Sequence, residues 1–180
     1  NAVVAQKKLA AMSLEQRGRI IAAIRRTALD NNEVLSALAV RETQLGRYED
    51  KIRENILCAT KTPGVEDLQP QAFSGDHGLT LLEPAPVGVI GSLTPITNPT
   101  GTLINNSIGM VAAGNSVVFN PHPSARETST TMVRLIHQAI VEAGGPPGVV
   151  SGVRKPTLDT ARQIIEHPRV NMLVATGGRP

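Results

Sequence analysis

The chain has 180 residues, with 18 Lys and Arg against 15 Asp and Glu for a formal net charge of +3, enough for one domain with a sizeable core and short of two comfortable ones. No Lys or Arg occurs from Thr62 to Ala125 and no charged residue from Pro84 to Ala125, so the middle of the chain is core and not a footprint for a phosphate backbone. Two Phe, one Tyr and no Trp remove base-stacking platforms, Cys58 as sole cysteine excludes a disulfide or a cysteine-built zinc site, and no run reaches the roughly 18 apolar residues of a membrane span. The expectation is a soluble, intracellular protein with no metal site, no nucleic-acid partner and no membrane partner.

Residues 1–66 read as a helical region. Ser13 and Gln16 form a capping box for a helix with the stripe Leu14, Ile20, Ile21, Ile24 and Ala28, ending near Asn31 and Asn32. A second pattern uses Val34, Leu35, Leu38 and Ala39 and stops by Gly46. A third runs from Tyr48 through Ile52 and Ile56 to Ala59 and is ended by Pro63 and Gly64. Residues 67–86 form a polar connector that passes into an exposed or pairing strand from Leu79 to Pro86.

From residue 87 onward, short apolar runs alternate with helical periods, the signature of a parallel sheet with crossover helices. The strand-like runs are Val87 to Leu93, Ser116 to Phe119, Val149 to Val153 and Val170 to Ala175. Between them lie the helical faces Leu103, Ile104, Ile108 and Val111, then Met132, Val133, Ile136 and Ile140, then Leu158, Ala161 and Ile165. Gly114 and Gly144 sit where left-handed C-caps are wanted. The fold class is therefore α/β, a Rossmann-like parallel sheet preceded by a helical N-terminal region.

Ligands of open parallel sheets bind at the carboxyl ends of the strands, which selects the turns. The first, Thr94-Pro95-Ile96-Thr97-Asn98-Pro99-Thr100, has Asn98 as N-cap and Pro99 as first residue of an uncharged helix. Its free amides and positive dipole end suit an oxyanion or a phosphate, although capping alone also accounts for these residue types. The second, Asn120-Pro121-His122-Pro123-Ser124, is stiffened by two prolines that aim His122, and Ser124 with Glu127 reads as a capping box. A lone loop histidine is more often a surface residue than a catalytic base. The last, Ala175-Thr176-Gly177-Gly178, lets backbone amides approach a pyrophosphate, but neither GxGxxG nor GxxxxGK[ST] occurs. Cys58, among Ile56, Leu57 and Ala59, is most simply a small core residue.

The run EPAPVGVIG at Glu83 to Gly91, followed by TPITNPT, AAGNSVVFNPHP, GGPPGVV and LVATGG, resembles the CoA-acylating branch of the aldehyde dehydrogenase superfamily, as does the opening AQKKLAAMSLEQRGRIIAAIRR. Within that branch it is most similar to the propionaldehyde and acetaldehyde dehydrogenases of bacterial microcompartments. The resemblance implies oxidation of a small aldehyde through a cysteine thiohemiacetal, with NAD taking hydride and coenzyme A taking the acyl group. It further implies that the chain, starting at Asn1 and stopping in a glycine turn, is cut from a longer one whose later domain carries the nucleophile. Cys58 does not match that motif.

By the same resemblance Thr97 or Asn98 takes the place of the family's oxyanion asparagine. Thr94, Pro95, Asn120, Pro121, His122, Thr176, Gly177 and Gly178 are the cofactor-binding candidates, with Asn120 standing where a ribose-binding Lys is usual. The Leu79 to Pro86 region corresponds to a hairpin through which subunits of a homo-oligomer pair. A cytoplasmic location inside a microcompartment, with association to its shell, is implied as well. Another superfamily member, such as glutamate semialdehyde dehydrogenase, and a noncatalytic binding or assembly module are the alternatives.

Overall fold

The computed structural model describes residues 1–177. Four helices come first: α1 (Ala2–Ala10), α2 (Leu14–Asp30), α3 (Asn32–Thr43) and α4 (Tyr48–Lys61). A hairpin, β1 (Gln71–Gly75) and β2 (Gly78–Leu82), leads to the main sheet of β3 (Val89–Leu93), β4 (Ser116–Asn120), β5 (Val150–Gly152) and β6 (Met172–Ala175). The crossover helices are α5 (Pro99–Ala112), α6 (Arg126–Glu142) and α7 (Leu158–Ile165). The strands are all parallel in the order β5-β4-β3-β6. The chain steps outward from β3 to β5 and then returns to the far side of β3, so a topological switch point lies between β3 and β6.

Side chains alternate across the sheet. Val117 and Phe119 join α2, α5 and α6 in one buried cluster with Ile20, Ile24, Leu103, Ile108 and Ile136, while Val89 and Val118 face a groove under α1 and α7. The Ser13–Gln16 capping box is formed in both directions. Gly114 and Gly144, at φ +82° and +84°, end α5 and α6 in the left-handed conformation that Gly adopts at little cost. Gly91 admits a close approach instead: a Cβ there would stand 2.5 Å from Ile164 Cγ2, so the missing side chain lets α7 lie down on β3.

Several expectations need correction. The connector contains β1, paired antiparallel with β2 from Gln71↔Leu82 to Gly75↔Gly78, and the polar Gln, Ser and Gly of that segment hid it. Helix α4 does not bury Ile52 and Ile56; its buried residues are Lys51, Asn55 and Ala59, and Ile56 is exposed. A polar face is affordable there because Asn55 Nδ2 donates to Asn32 Oδ1 and Ser36 Oγ of α3 at 2.9 and 3.1 Å. Leu14, Val34, Leu158 and Ile165 are exposed members of otherwise buried stripes, and α7 buries Ile164 in place of Ile165. Ser124 and Glu127 make no capping box: Pro123–Ala125 is a 3-10 turn, and the carboxylate of Glu42 on α3 accepts from the amides of Glu127 and Thr128 at 2.7 and 2.8 Å.

Candidate functional site

Register brings the turns together. Leu93 pairs with Asn120 on one side and with Ala175 on the other, and the amides of Thr94 and Thr176 donate to Asn120 O and Leu93 O at 3.2 and 3.0 Å. The segments Thr94–Asn98, Asn120–His122 and Thr176–Gly177 thus leave the sheet side by side at one carboxyl edge, next to the switch point. A Cβ built on Gly177 would lie 3.9 Å from Pro95 Cβ, which draws the last turn against the first. Gly178 lies outside the described residues.

Within this edge the candidates differ. Thr94 and Pro95 are buried, and Thr94 Oγ1 has no hydrogen-bond partner among the described residues. Thr97 and Asn98 are exposed at the start of α5. Asn98 occupies the N-cap position, yet its side chain does not cap: Oδ1 accepts from Lys51 Nζ at 2.8 Å, and Lys51 also donates to the Thr97 carbonyl. The amides of Thr100 and Gly101 have no acceptor among the described residues, and they point out of the N-terminus of a helix without charge. Lys51 is only 4% exposed and has Glu54 Oε2 at 3.6 Å. Burial pushes the Glu54 carboxyl above its ordinary value, and the neighbouring Lys51 offsets part of that rise.

On the second turn, Asn120 is 6% exposed, and its Oδ1 accepts from Thr160 Oγ1 of α7 at 2.7 Å. Pro121 is buried beneath it. The exposed His122 accepts from the Ser124 amide through Nδ1 at 3.1 Å, which leaves Nε2 as the ring's donor. No carboxylate belongs to residues 94–101 or 120–124. The turns therefore present donors and no carboxylate of their own, a surface matched to phosphate and ribose oxygens, with Glu54 of α4 the neighbouring acid. Lys51, Thr160 and Glu42, which aim or anchor these turns, escaped the sequence reading.

Cys58 stands behind α5, where a Cβ on Gly101 would be 3.3 Å from its Sγ and 3.0 Å from Glu54 Oε1. Burial raises its thiol pKa, and the charge of Glu54 raises it further, the opposite of what a nucleophile needs. Its alkylation by iodoacetamide at about pH 8 is expected to run slower than that of free cysteine, because the thiolate appears only above the ordinary range. Glu54→Gln, which removes the negative neighbour, should shift the rate-against-pH curve back to lower pH. A rate equal to that of free cysteine, unmoved by Glu54→Gln, would contradict this placement. Among the described residues no cluster of His, Cys, Asp and Glu can hold a metal, and no helix is long and apolar enough to cross a membrane.

Comparison with known proteins bears on this edge. The model of the aldehyde dehydrogenase family matches residues 1–180. The chain is 49% identical over 177 residues to an acetaldehyde dehydrogenase (acetylating) of Bilophila wadsworthia, covering 98% of this chain and 36% of that protein. Among solved structures, Rhodopseudomonas palustris propionaldehyde dehydrogenase with bound propionyl-CoA superposes with a TM-score of 0.95 at 51% identity, over 98% of this chain and 40% of that one. A propionaldehyde dehydrogenase from the Clostridium phytofermentans fucose utilisation bacterial microcompartment does so at 0.95 and 49%, over 98% and 41%. The chain thus spans about two fifths of the length of these relatives.

Proposed function

Given that the chain belongs to the aldehyde dehydrogenase family, we propose that it supplies the first part of the cofactor domain of a CoA-acylating enzyme that converts acetaldehyde or propionaldehyde to the acyl-CoA. The observation that carries this reading is the convergence of three donor-bearing, carboxylate-free turns at one carboxyl edge. NAD supplies a hydride acceptor and coenzyme A a thiol acceptor for the acyl group, so that aldehyde, NAD⁺ and CoA give acyl-CoA, NADH and a proton. The residues that hold the two cofactors are Asn120 through Nδ2, His122 through Nε2–H, and the backbone of Thr176 and Gly177 opposite Pro95. Asn98 donates from Nδ2 to the aldehyde oxygen as negative charge develops on it, beside the free amides of α5. Thr97 is the weaker candidate for that role, because its hydroxyl rotates freely while the Asn98 amide is held.

The hairpin completes the proposal. Every residue of β1 and β2 is exposed, among them Phe73, Leu79, Leu81 and Leu82, and an apolar two-stranded ribbon with free edges invites pairing. It joins subunits of a homo-oligomer, housed in a microcompartment of the cytoplasm and associated with its shell. Leu79→Lys with Leu81→Lys is expected to lower the mass measured by light scattering to that of a smaller assembly, and an unchanged mass would contradict it. The similarity to acylating relatives disfavours a glutamate semialdehyde dehydrogenase.

The function is tested by incubating the enzyme with propionaldehyde, NAD⁺ and CoA. Equimolar NADH and propionyl-CoA, with no turnover when CoA is withheld, is the expected result. Propionic acid formed without CoA would overturn the acylating reading, and no reaction with any aldehyde would favour a noncatalytic module. Cys58→Ala should leave that turnover unchanged.

A further inference from the structure

Lys51 is the buried charge that the proposed chemistry leaves unused. It sits on α4, outside the sheet, at 4% exposure, and a buried ammonium must have its donors satisfied. The backbone carbonyl of Thr97 accepts from one, and Glu54 Oε2 at 3.6 Å is an ion-pair neighbour beyond hydrogen-bond distance. Its third partner is different in kind: an exposed side-chain amide, Asn98 Oδ1 at 2.8 Å, on a residue that caps nothing. An ammonium only donates, so it accepts one orientation of an Asn amide and rejects the other. The oxygen must face Lys51, and the NH₂ group is turned away from it with no hydrogen-bond partner among the described residues.

We infer that Lys51 is a positioning residue that fixes the Asn98 amide with Nδ2 as the donor offered to the substrate oxygen. The inference rests on the reading of Asn98 as the oxyanion donor and adds what makes that donor usable. Without the ammonium, an exposed Asn side chain samples both amide orientations, and half of them aim an oxygen lone pair at a developing negative charge. The ammonium also polarises the amide through its oxygen, which strengthens the N–H as a donor, and it sets a positive charge behind the site. Thr97 is held by the same head group through its carbonyl, so the turn and the amide are aligned together. Gly101 supports this packing, since a Cβ there would press on Glu54.

Lys51→Met, which keeps the stem and removes the donors, is expected to lower kcat for propionaldehyde about 10- to 100-fold with little change in KM or in NAD⁺ affinity measured by equilibrium titration. The same change placed on Asn98→Ala should add less than about twofold, because the two residues act as one unit. Should Lys51→Met fail to fold, Lys51→Gln decides: Gln both donates and accepts and so tolerates either orientation, and a loss of about 3- to 10-fold that vanishes on the Asn98→Ala background is expected. Full and independent losses in the double variant, an unchanged kcat in a folded Lys51 variant, or a weakened NAD⁺ affinity would each overturn the role of Lys51 while Asn98→Ala remains impaired. An Asn98→Ala enzyme of full activity would instead remove the reading on which the inference rests.

Discussion

Asn98→Ala in the whole enzyme is expected to lower kcat about 100- to 1,000-fold, the usual cost of removing one donor from an oxyanion site. The side chain is exposed and caps no helix amide, so α5 does not depend on it, although its loss leaves one donor of the buried Lys51 ammonium unmet and is expected to lower thermal stability as well. Asn98→Asp sharpens the test. A carboxylate keeps an acceptor for Lys51 Nζ, and its negative charge suits both that ammonium and the N-terminus of α5. Thermal stability should therefore be kept or raised while kcat falls at least as far as in the Ala variant, because Asp offers no donor and adds a repulsive charge. An Asp variant that is stable and fully active would show that the oxyanion is served by the amides of Thr100 and Gly101 without the side chain.

Asn120→Lys is expected to tighten NAD⁺ about 2- to 30-fold and to weaken CoA. The estimate follows from replacing a neutral hydrogen bond of about 1 kcal/mol with a charge-assisted one of about 1.5 to 3 kcal/mol at the adenosine ribose. The present Asn is not free to adapt, for Thr160 donates to its Oδ1 at 2.7 Å from the first turn of α7. Unlike the Lys51 ammonium, the Thr160 hydroxyl accepts as well as donates and also lies 2.9 Å from the Thr157 carbonyl, so it holds the Asn120 amide in place without dictating which end faces outward. Under the proposed function, a neutral amide would serve the adenosines of both cofactors, whereas an ammonium would favour one of them. Equal affinities for NAD⁺ and for CoA in the variant and the parent, read by titration of each ligand, would contradict this account.

The parallel sheet and its turns were legible because β3, β4 and the helices between them bury both faces and so carry unbroken apolar runs, with glycines at the helix ends. The residues that orient the site were not, for a physical reason visible in α4. Lys51, Asn55 and Ala59 recur at four-residue spacing and form the buried face, while Ile52 and Ile56 lie beside them. Apolar periodicity selects the isoleucines, and only a partner distant in sequence tells that the lysine is the inward residue. The same holds for Glu42, which caps α6 from α3 and displaces the local Ser124–Glu127 pair. Asn98 was located by its place before Pro99, yet the N-cap role that this placement favours is not the one its side chain performs. Long-range polar contacts of this kind leave no period in the chain.

Hydrogen–deuterium exchange of the enzyme with and without NAD⁺, and with and without CoA, tests most directly whether the carboxyl edge of β3, β4 and β6 is the cofactor site. Both ligands are predicted to slow exchange in the segments around Thr94 to Thr102 and Asn120 to Glu127, with the amides of Thr100 and Gly101 responding because they have no acceptor among the described residues. The groove under α1 and α7 and the β1–β2 hairpin are predicted to be unaffected. Protection confined to that groove or to the hairpin, with the two turns exchanging as before, would contradict the account.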